Sequence, residues 1–393
     1  MSLSLTTARP SPAPLQLPDS EFSWRIERLV AAMAENQFDE LVLYGWPWRP
    51  DNVRYATGAA TTGGATLVRI TGDGAVSALV FSRDDWAAIA RVGWVDDVTL
   101  APRLDPAVFR AFLDGIPARA RVGVSHLELM PAGVTGMLTA SAPGVVWETA
   151  TRCLDLVRLV KSGWEQERMV VGADVAARGW QAMLGVLEPG VCEYEVVAAV
   201  EREIKSDGAE DNFMLIAFGG VEVRAMHAPE DRRLGVTDMV RTELTPQVDG
   251  YYAQVCRTGV PVRPTADQQR IYDVFYAAME AGIATVRAGV TAHEVAKAQN
   301  DILRRHGFGE YCTPQHTRVR GHALGLHPDE TPGLMEGDHT VIPEGATIVV
   351  HPNTYNPVVG YMVVGDPVIV TATGSRRLVV ADPSMPCGLG LAS

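Results

Sequence analysis

Basic charge is what this sequence lacks most plainly. Lys and Arg together number 34 against 47 Asp and Glu, a formal net charge of -13 with histidine neutral. A protein that grips phosphate backbones or anionic lipid needs a basic footprint, so nucleic acid and the membrane surface are not expected partners. Cysteine is also scarce: Cys153, Cys192, Cys256, Cys312 and Cys387 are odd in number, widely spaced and form no CxxC pair. That pattern argues against a disulfide framework and a zinc knuckle, and fits reduced thiols in the cytoplasm. No stretch approaches the roughly 18 uninterrupted apolar residues of a membrane span. The opening MSLSLTTARPSPAPLQLP has no apolar run of the signal-peptide kind, and residues 1–20 read as a flexible arm rich in Ser, Thr and Pro.

What is present is an ordinary globular composition, 47% apolar and 21% charged, in a chain longer than one core usually supports. Two domains are expected, divided between residues 155 and 156. Over residues 21–35 the apolar positions Phe22, Trp24, Ile26, Leu29, Val30 and Met33 recur at helical spacing. DELVLYG reads as a buried strand, NVRYATG as a second, and TLVRI, AVSALVF, VDDVTL and RVGVS as further short strands, with helical patterns over 86–92 and 105–113. This alternation describes a small α/β domain over residues 21–155. The stretch CLDLVRLVKSGWEQERMVVGADVAARGWQAMLGVLEPG turns to a long amphipathic helix, followed by another over 193–206. Strands come next at NFMLIAFG and DMVRTELTPQVDGYYAQVCRTGVPV, then helices over 266–287 and 292–305, then strands at ATIVVHPN, GYMVVGDPVIVT and RRLVV. Residues 156–393 thus read as an α+β unit used twice.

The residues with acid–base or ligand chemistry gather in three stretches: AMHAPEDRRLGVTDMVRTELTPQVDGYYAQVCRT, RGHALGLHPDETP around His322, and PEGATIVVHPN around His351. Strand-and-turn segments distant in the chain are how a site is commonly assembled. An imidazole with an unperturbed pKa of about 6.5 lets His227, His322 and His351 exchange protons near neutrality. His351 follows a β-branched run and faces either core or cleft. Cys256 is either a nucleophile activated by a neighbouring histidine or a buried thiol packing as a small apolar group. Glu243 and Gln254 can orient substrate or the histidines, and Arg318 or Arg320 can pair with a substrate carboxylate. Trp46, in YGWPWRPDN, suits a pocket that is half apolar.

In their order and separations, the segments RYATG, LVRLVKSGWE, VTDMVRTELTPQVDGYYAQVCRT, GHALGLHPDETP, IPEGATIVVHP and VGDPVIVT resemble the creatinase/aminopeptidase P/methionine aminopeptidase family. The resemblance covers nearly the whole chain after residue 20. It implies an α+β architecture, with a pita-bread C-terminal domain preceded by a smaller α/β creatinase/prolidase-type N-terminal domain, and a homodimer. In the peptidase branch two aspartates, one histidine and two glutamates hold two metal ions, which activate a hydroxide and polarise a carbonyl. The matching positions here are Glu243, Gln254, His322, His351 and Gly365, and only His322 keeps the peptidase residue.

A neutral Gln254 and a side-chain-less Gly365 remove most of the negative charge that holds two divalent ions. The expectation is therefore a metal-independent, creatinase-like hydrolase or lyase, without a cofactor, cleaving a C–N bond of a small polar metabolite. His227 matches creatinase's proton-shuttling histidine, with His322, His351 and Cys256 as the other catalytic groups. Glu243, Gln254, His327, Arg320 and Trp46 are the expected substrate-binding residues, His327 by its correspondence to a substrate-side position in family members. Creatinase's glutamates are replaced at Cys256 and His351, and its creatine-binding arginine has no counterpart after Gly58, so creatine is not the expected substrate. Two alternatives stand beside this reading. One is a mononuclear metal-dependent Xaa-Pro-type peptidase or lyase with its ion on Glu243, His322 and His351; the other is a non-catalytic peptide- or protein-binding module.

Overall fold

The computed structural model describes residues 17–388, so most of the stretch read as an arm lies outside the described residues. The chain divides into two compact units, one running through Arg158 and the other starting at Leu159. No helix among the described residues is long and apolar enough to cross a membrane.

The first unit opens with α1 (Asp19–Asn36) and β1 (Glu40–Gly45), then α2 (Asp51–Thr57), β2 (Thr66–Ile70), β3 (Val76–Val80), α3 (Arg83–Val92) and β4 (Asp97–Leu100). It closes with α4 (Pro106–Phe112), β5 (Arg121–Val124), α5 (Ala132–Ser141), β6 (Val146–Thr149) and α6 (Thr151–Leu159). Its six strands form one mixed sheet in the order β4-β3-β2-β1-β5-β6. Val42, Leu67, Leu79, Phe109, Val122 and Leu138 fill the interior on one side. NVRYATG, read as a strand, is mainly the helix α2, which stops at Gly58 with a left-handed φ of 74°. The strand-forming Val53, Tyr55 and Thr57 are all buried there, so packing on all sides overrides their local preference. The segment expected as one long helix after Cys153 is two, because Ser162 starts α7 (Gly163–Val186) afresh with a capping box to Glu165.

In the second unit α8 (Glu193–Ser206) follows α7, then β7 (Asp211–Gly219), β8 (Met239–Val248), β9 (Tyr251–Tyr252) and β10 (Val255–Gly259). The helix pair α9 (Ala266–Thr285) and α10 (Ala292–Arg305) precedes β11 (Gly321–Ala323), β12 (Glu330–Gly333) and β13 (Thr347–Val350). The hairpin β14 (Thr354–Asn356) and β15 (Gly360–Met362) and the strands β16 (Asp366–Val370) and β17 (Ser375–Arg377) end it. One sheet runs β10-β8-β7 with β9 against β8, and another runs β12-β11-β13-β16-β17. Each has its own helix pair and core. Val175, Trp180, Val196, Val200 and Ile204 pack on Ile216, Val240 and Leu244, while Phe275, Met279, Val295 and Leu303 belong to the core of Ile348, Val350 and Val368.

The two halves repeat local detail as well as element order. Cys192 and Glu195 form the capping box of α8, and Thr291 and Glu294 form that of α10, each after a Gly-Val. Leu234 pairs its backbone with Gly190 and Val191 in the first half, as Ile342 does with Gly289 and Val290 in the second. Nine residues beyond Leu234 is Glu243, and nine beyond Ile342 is His351. Cys256 faces Glu243 across the β8–β10 ladder, and Gly365 lies one step beyond the Val350–Asp366 pair of β13 and β16. Cys256 and Gly365 then bond to each other across the halves, with each amide reaching the other's carbonyl at 3.0 Å. The fold thus brings two pairs of equivalent positions to one point.

Candidate metal centre

At that point Glu243, Cys256 and His351 each offer a ligand atom, and all three atoms lie within 4.8 Å of one another. Glu243 comes from the middle of β8, Cys256 from β10, and His351 from the end of β13. The strand alternation that puts Cys256 inward also puts Gln254 inward, and its amide nitrogen donates to Cys256 Sγ at 3.4 Å. Asn353 Nδ2 donates to Glu243 Oε1 at 2.9 Å and is held in turn by the amide of Val364 on its own Oδ1. Arg257 fastens the far wall: its guanidinium donates to the carbonyls of Cys256 at 2.9 Å and Gly365 at 2.6 Å and pairs with Asp366 at 2.8 Å.

His351 carries the most telling feature. It is only 5% exposed, yet among the described residues neither ring nitrogen has a hydrogen-bond partner. Buried polar atoms are nearly always paired, because an unpaired one forfeits its hydration without return. Burial first, then the neighbouring His322 and Arg320, hold its pKa well below the ordinary histidine value, so the ring is neutral and offers lone pairs. The ring of His322 meets it edge-on, with centroids 5.4 Å apart. His322 Nδ1 donates to the carbonyl of Ala323 at 3.0 Å, which fixes its tautomer and leaves Nε2 as the lone-pair atom. Burial lowers its pKa against the pull of Asp329, whose carboxylate lies 3.7 Å away. Gly321 allows this arrangement: at φ 129° it passes so close to β13 that a Cβ would lie 2.1 Å from the carbonyl oxygen of Val349.

Burial pushes the Glu243 carboxyl up to about 7, against hydrogen bonds from Asn353 and Cys256 that lower it. Burial and the adjacent Glu243 raise the Cys256 thiol well above its ordinary value. Among the described residues, an activating histidine contact to Cys256 of the kind a thiolate nucleophile needs is not found; its side chain touches Glu243 and Gln254.

The other expected site residues fall elsewhere. The His227 side chain is 39% exposed, and the residue pairs its backbone with Ile216 on β7, the edge strand, while its ring approaches the Ala228 carbonyl, Glu193 and Glu230. Among the described residues no hydrogen bond or ion pair joins it to Glu243, Cys256 or His351. Arg320 is a strut rather than a substrate arm, since its buried guanidinium is engaged by Asn300 and by the carbonyls of Tyr311, Pro352 and Asn353. His327 sits in the turn before β12, held by Asp329 and Glu330. Trp46 belongs to the first unit and stacks on Tyr44 with His126 at its edge. Two groups at the centre escaped sequence reading. Asn353 follows His351 by two residues, and Tyr361 has a phenol raised by burial and then by the charges of Glu243 and Cys256.

The residues present fit one ion and not two. Glu243, Cys256 and His351 supply three unlike donors, and among the described residues the nitrogens of the His351 ring have no hydrogen-bond partner. A second ion would need a carboxylate at 365, where a Cβ would lie 2.5 Å from His351 Cβ and 2.9 Å from the carbonyl oxygen of Val350. The single-ion alternative considered from sequence had His322 as a ligand; in the structure Cys256 takes that place in the donor group.

A family model described as metallopeptidase family M24 matches residues 167–372, and one described as the creatinase/prolidase N-terminal domain matches residues 25–160. An Xaa-Pro dipeptidase of Pyrococcus horikoshii is 26% identical over 356 residues, covering 90% of this chain and 96% of that protein. An Xaa-Pro dipeptidase of Pyrococcus furiosus is 26% identical over 364 residues, covering 90% and 97%. The crystal structure of the prolidase from Pyrococcus horikoshii superposes with a TM-score of 0.80 at 25% identity over 91% of this chain and 99% of that one. The architecture is therefore the expected one, a pita-bread domain behind a creatinase-type N-terminal domain. The expectation of a metal-independent, creatinase-like enzyme without a cofactor is corrected by the same findings, and the physical reason is the donor set that Cys256 completes. Matched over more than half its length, the chain belongs to metallopeptidase family M24.

Proposed function

We propose that the protein is a metal-dependent peptidase of the Xaa-Pro dipeptidase type, hydrolysing the C–N bond of a short peptide. The observation that carries this is His351, buried and neutral with both ring nitrogens unpaired beside Glu243 and Cys256, in a chain whose relatives are named Xaa-Pro dipeptidases. Glu243, Cys256 and His351 would hold the ion. The chemistry such an ion supplies when bound is Lewis-acid polarisation of the scissile carbonyl and activation of a water for attack. Asn353 holds Glu243 by Oε1, the carboxylate oxygen that also faces Cys256 Sγ. His322, its tautomer set by the Ala323 carbonyl, presents Nε2 to take the proton from the water and pass it to the leaving amine nitrogen. Water oxygen bonds to the carbonyl carbon, the C–N bond breaks, and the amine leaves protonated. A homodimer in the reducing cytoplasm accords with this reading; the resemblance supports the dimer, and the five cysteines, all free thiols, support the compartment.

The test is turnover of a panel of Xaa-Pro and other dipeptides by protein stripped with a chelator and then reloaded. Proline release should require the metal and be lost in His351→Ala. Undiminished hydrolysis by metal-free protein would refute the proposal, and metal-loaded protein that binds the dipeptides without cleaving them would favour a binding module. Light scattering after size-exclusion chromatography reads the oligomeric state.

A further inference from the structure

We infer that this centre takes a single ion of the zinc type, ligated by the Cys256 thiolate, in place of two ions held by oxygen ligands. The inference rests on the metal-dependent reading above and says which ion and how many. Three features of the chain carry it.

The first is the donor chemistry. A thiolate, an imidazole and a carboxylate within 4.8 Å of one another suit zinc, whereas magnesium, calcium and manganese prefer oxygen. Three protein ligands with a fourth position open is also the pattern of catalytic zinc sites. The second is the state of His351, 5% exposed with both ring nitrogens unpaired among the described residues, which leaves a lone pair at the centre without a partner among them.

The third is that the second ion's place is closed. Gln254 brings a neutral amide, and that amide is already directed at Cys256 Sγ at 3.4 Å. Gly365 has no side chain and no space for one, since its added Cβ would meet His351 Cβ at 2.5 Å. Nor can the strand shift easily to make room, because Gly365 is bonded to Cys256 at both its amide and its carbonyl, and Arg257 grips that carbonyl as well. Around the three ligands, Asn353 steadies Glu243, Gln254 steadies Cys256 and His322 packs on His351, so each ligand has a neighbour that orients it.

The full chain, stripped and titrated with cobalt(II), tests this without reference to activity. One equivalent should be bound per chain, with a near-ultraviolet sulfur-to-cobalt charge-transfer band. In Cys256→Ser the band should vanish and zinc binding should weaken more than about 100-fold, because loss of an orienting neighbour alone already costs about 10–100-fold in such sites. Two ions per chain, or a wild-type cobalt spectrum without the thiolate band, would overturn the inference, and the wild-type spectrum decides even where the variant fails to fold. The two proposals fail separately. A one-ion thiolate spectrum with no dipeptide turnover removes the peptidase reading and keeps the centre, whereas metal-dependent turnover with two ions per chain does the reverse.

Discussion

Restoring a side chain at Gly365 tests whether the centre is closed to a further ligand. Gly365→Ala would place a Cβ 2.5 Å from His351 Cβ, 2.9 Å from the carbonyl oxygen of Val350 and 3.2 Å from His351 Cα. All three are well inside the roughly 3.5–4.0 Å at which such atoms are at rest. None can withdraw cheaply. Val350 is fully buried on β13 in register with Asp366, His351 bonds its own amide to Arg320 at 3.1 Å, and Gly365 is pinned to Cys256 on both sides. Overpacking of a rigid interior typically costs about 1–3 kcal/mol, and a clash with the backbone of the adjacent Val350–His351 segment puts this variant at the upper end, about 2–3 kcal/mol. For a unit of this size each kcal/mol lowers Tm by about 2–4 °C, so the loss should be roughly 4–12 °C by calorimetry. Gly374, where an added Cβ meets nothing within 4 Å, is the control; Gly374→Ala should stay within about 0.5 kcal/mol of the parent. Gly365→Glu, which supplies the missing carboxylate, should lose stability at least as severely and gain no second ion by elemental analysis. A Gly365→Ala protein as stable as the parent, or a Gly365→Glu protein holding two ions, would show that the strand yields and the reasoning is wrong.

Two further predictions concern the scaffold. Arg241 is fully buried and donates to the carbonyls of Gly219, Gly220, Met239, Val359 and Tyr361, tying β7 and the β14–β15 hairpin to β8. Arg241→Met should therefore cost on the order of 3 kcal/mol or more in denaturant unfolding, and an unchanged midpoint would mean those carbonyls find other partners. In the first unit, burial alone would raise the Asp51 carboxyl, but Arg158, His126 and Arg49 together hold it well below its ordinary value. A depressed folded pKa gives stability that is complete above the unfolded value of about 4 and lost as pH falls through the folded one. Asp51→Asn should flatten the acid dependence below about pH 4 and cost on the order of 3 kcal/mol at neutral pH, where Arg158 loses its buried partner. Tryptophan-monitored unfolding at pH 7 and pH 3 checks both, and an acid profile identical to the parent would refute the assignment.

Helix boundaries were legible where chemistry marks them. The expected spans 193–206 and 292–305 coincide with α8 and α10, because Gly-Val followed by a capping box starts each and the apolar stripe continues to its end. They were illegible where tertiary packing decides, as at Val53, Tyr55 and Thr57, whose strand preference yields to burial in α2. At the centre, Glu243, Cys256, His322 and His351 all stood out from the sequence. Which of them meet did not, because the meeting depends on the bridge between Cys256 and Gly365, and a contact between strands 109 residues apart leaves no periodicity to read. Asn353 passed unnoticed for a similar reason: an asparagine between a strand and a hairpin is ordinary turn chemistry until its amide is seen on Glu243.

The charge arithmetic explains why Cys256 matters more than a position-by-position loss of ligands suggests. Four carboxylates in the resembling peptidase set balance two divalent ions. At the five matching positions here only Glu243 can carry a negative charge, since Gln254 and Gly365 carry no charge and His322 and His351 are held neutral by burial. One negative charge would leave even a single divalent ion undercompensated in a buried site, which is costly. Cys256 lies beside Glu243 on the neighbouring strand, and a metal-bound thiol is deprotonated outright, so it restores the second charge. Arg257, the cation nearest in sequence, does not cancel it, because its guanidinium is already paired with Asp366 at 2.8 Å. Two anionic ligands and the neutral imidazole of His351 thus match one divalent ion as four carboxylates match two, and Cys256→Ser, which leaves one formal charge, should weaken zinc far more than its small change in shape would.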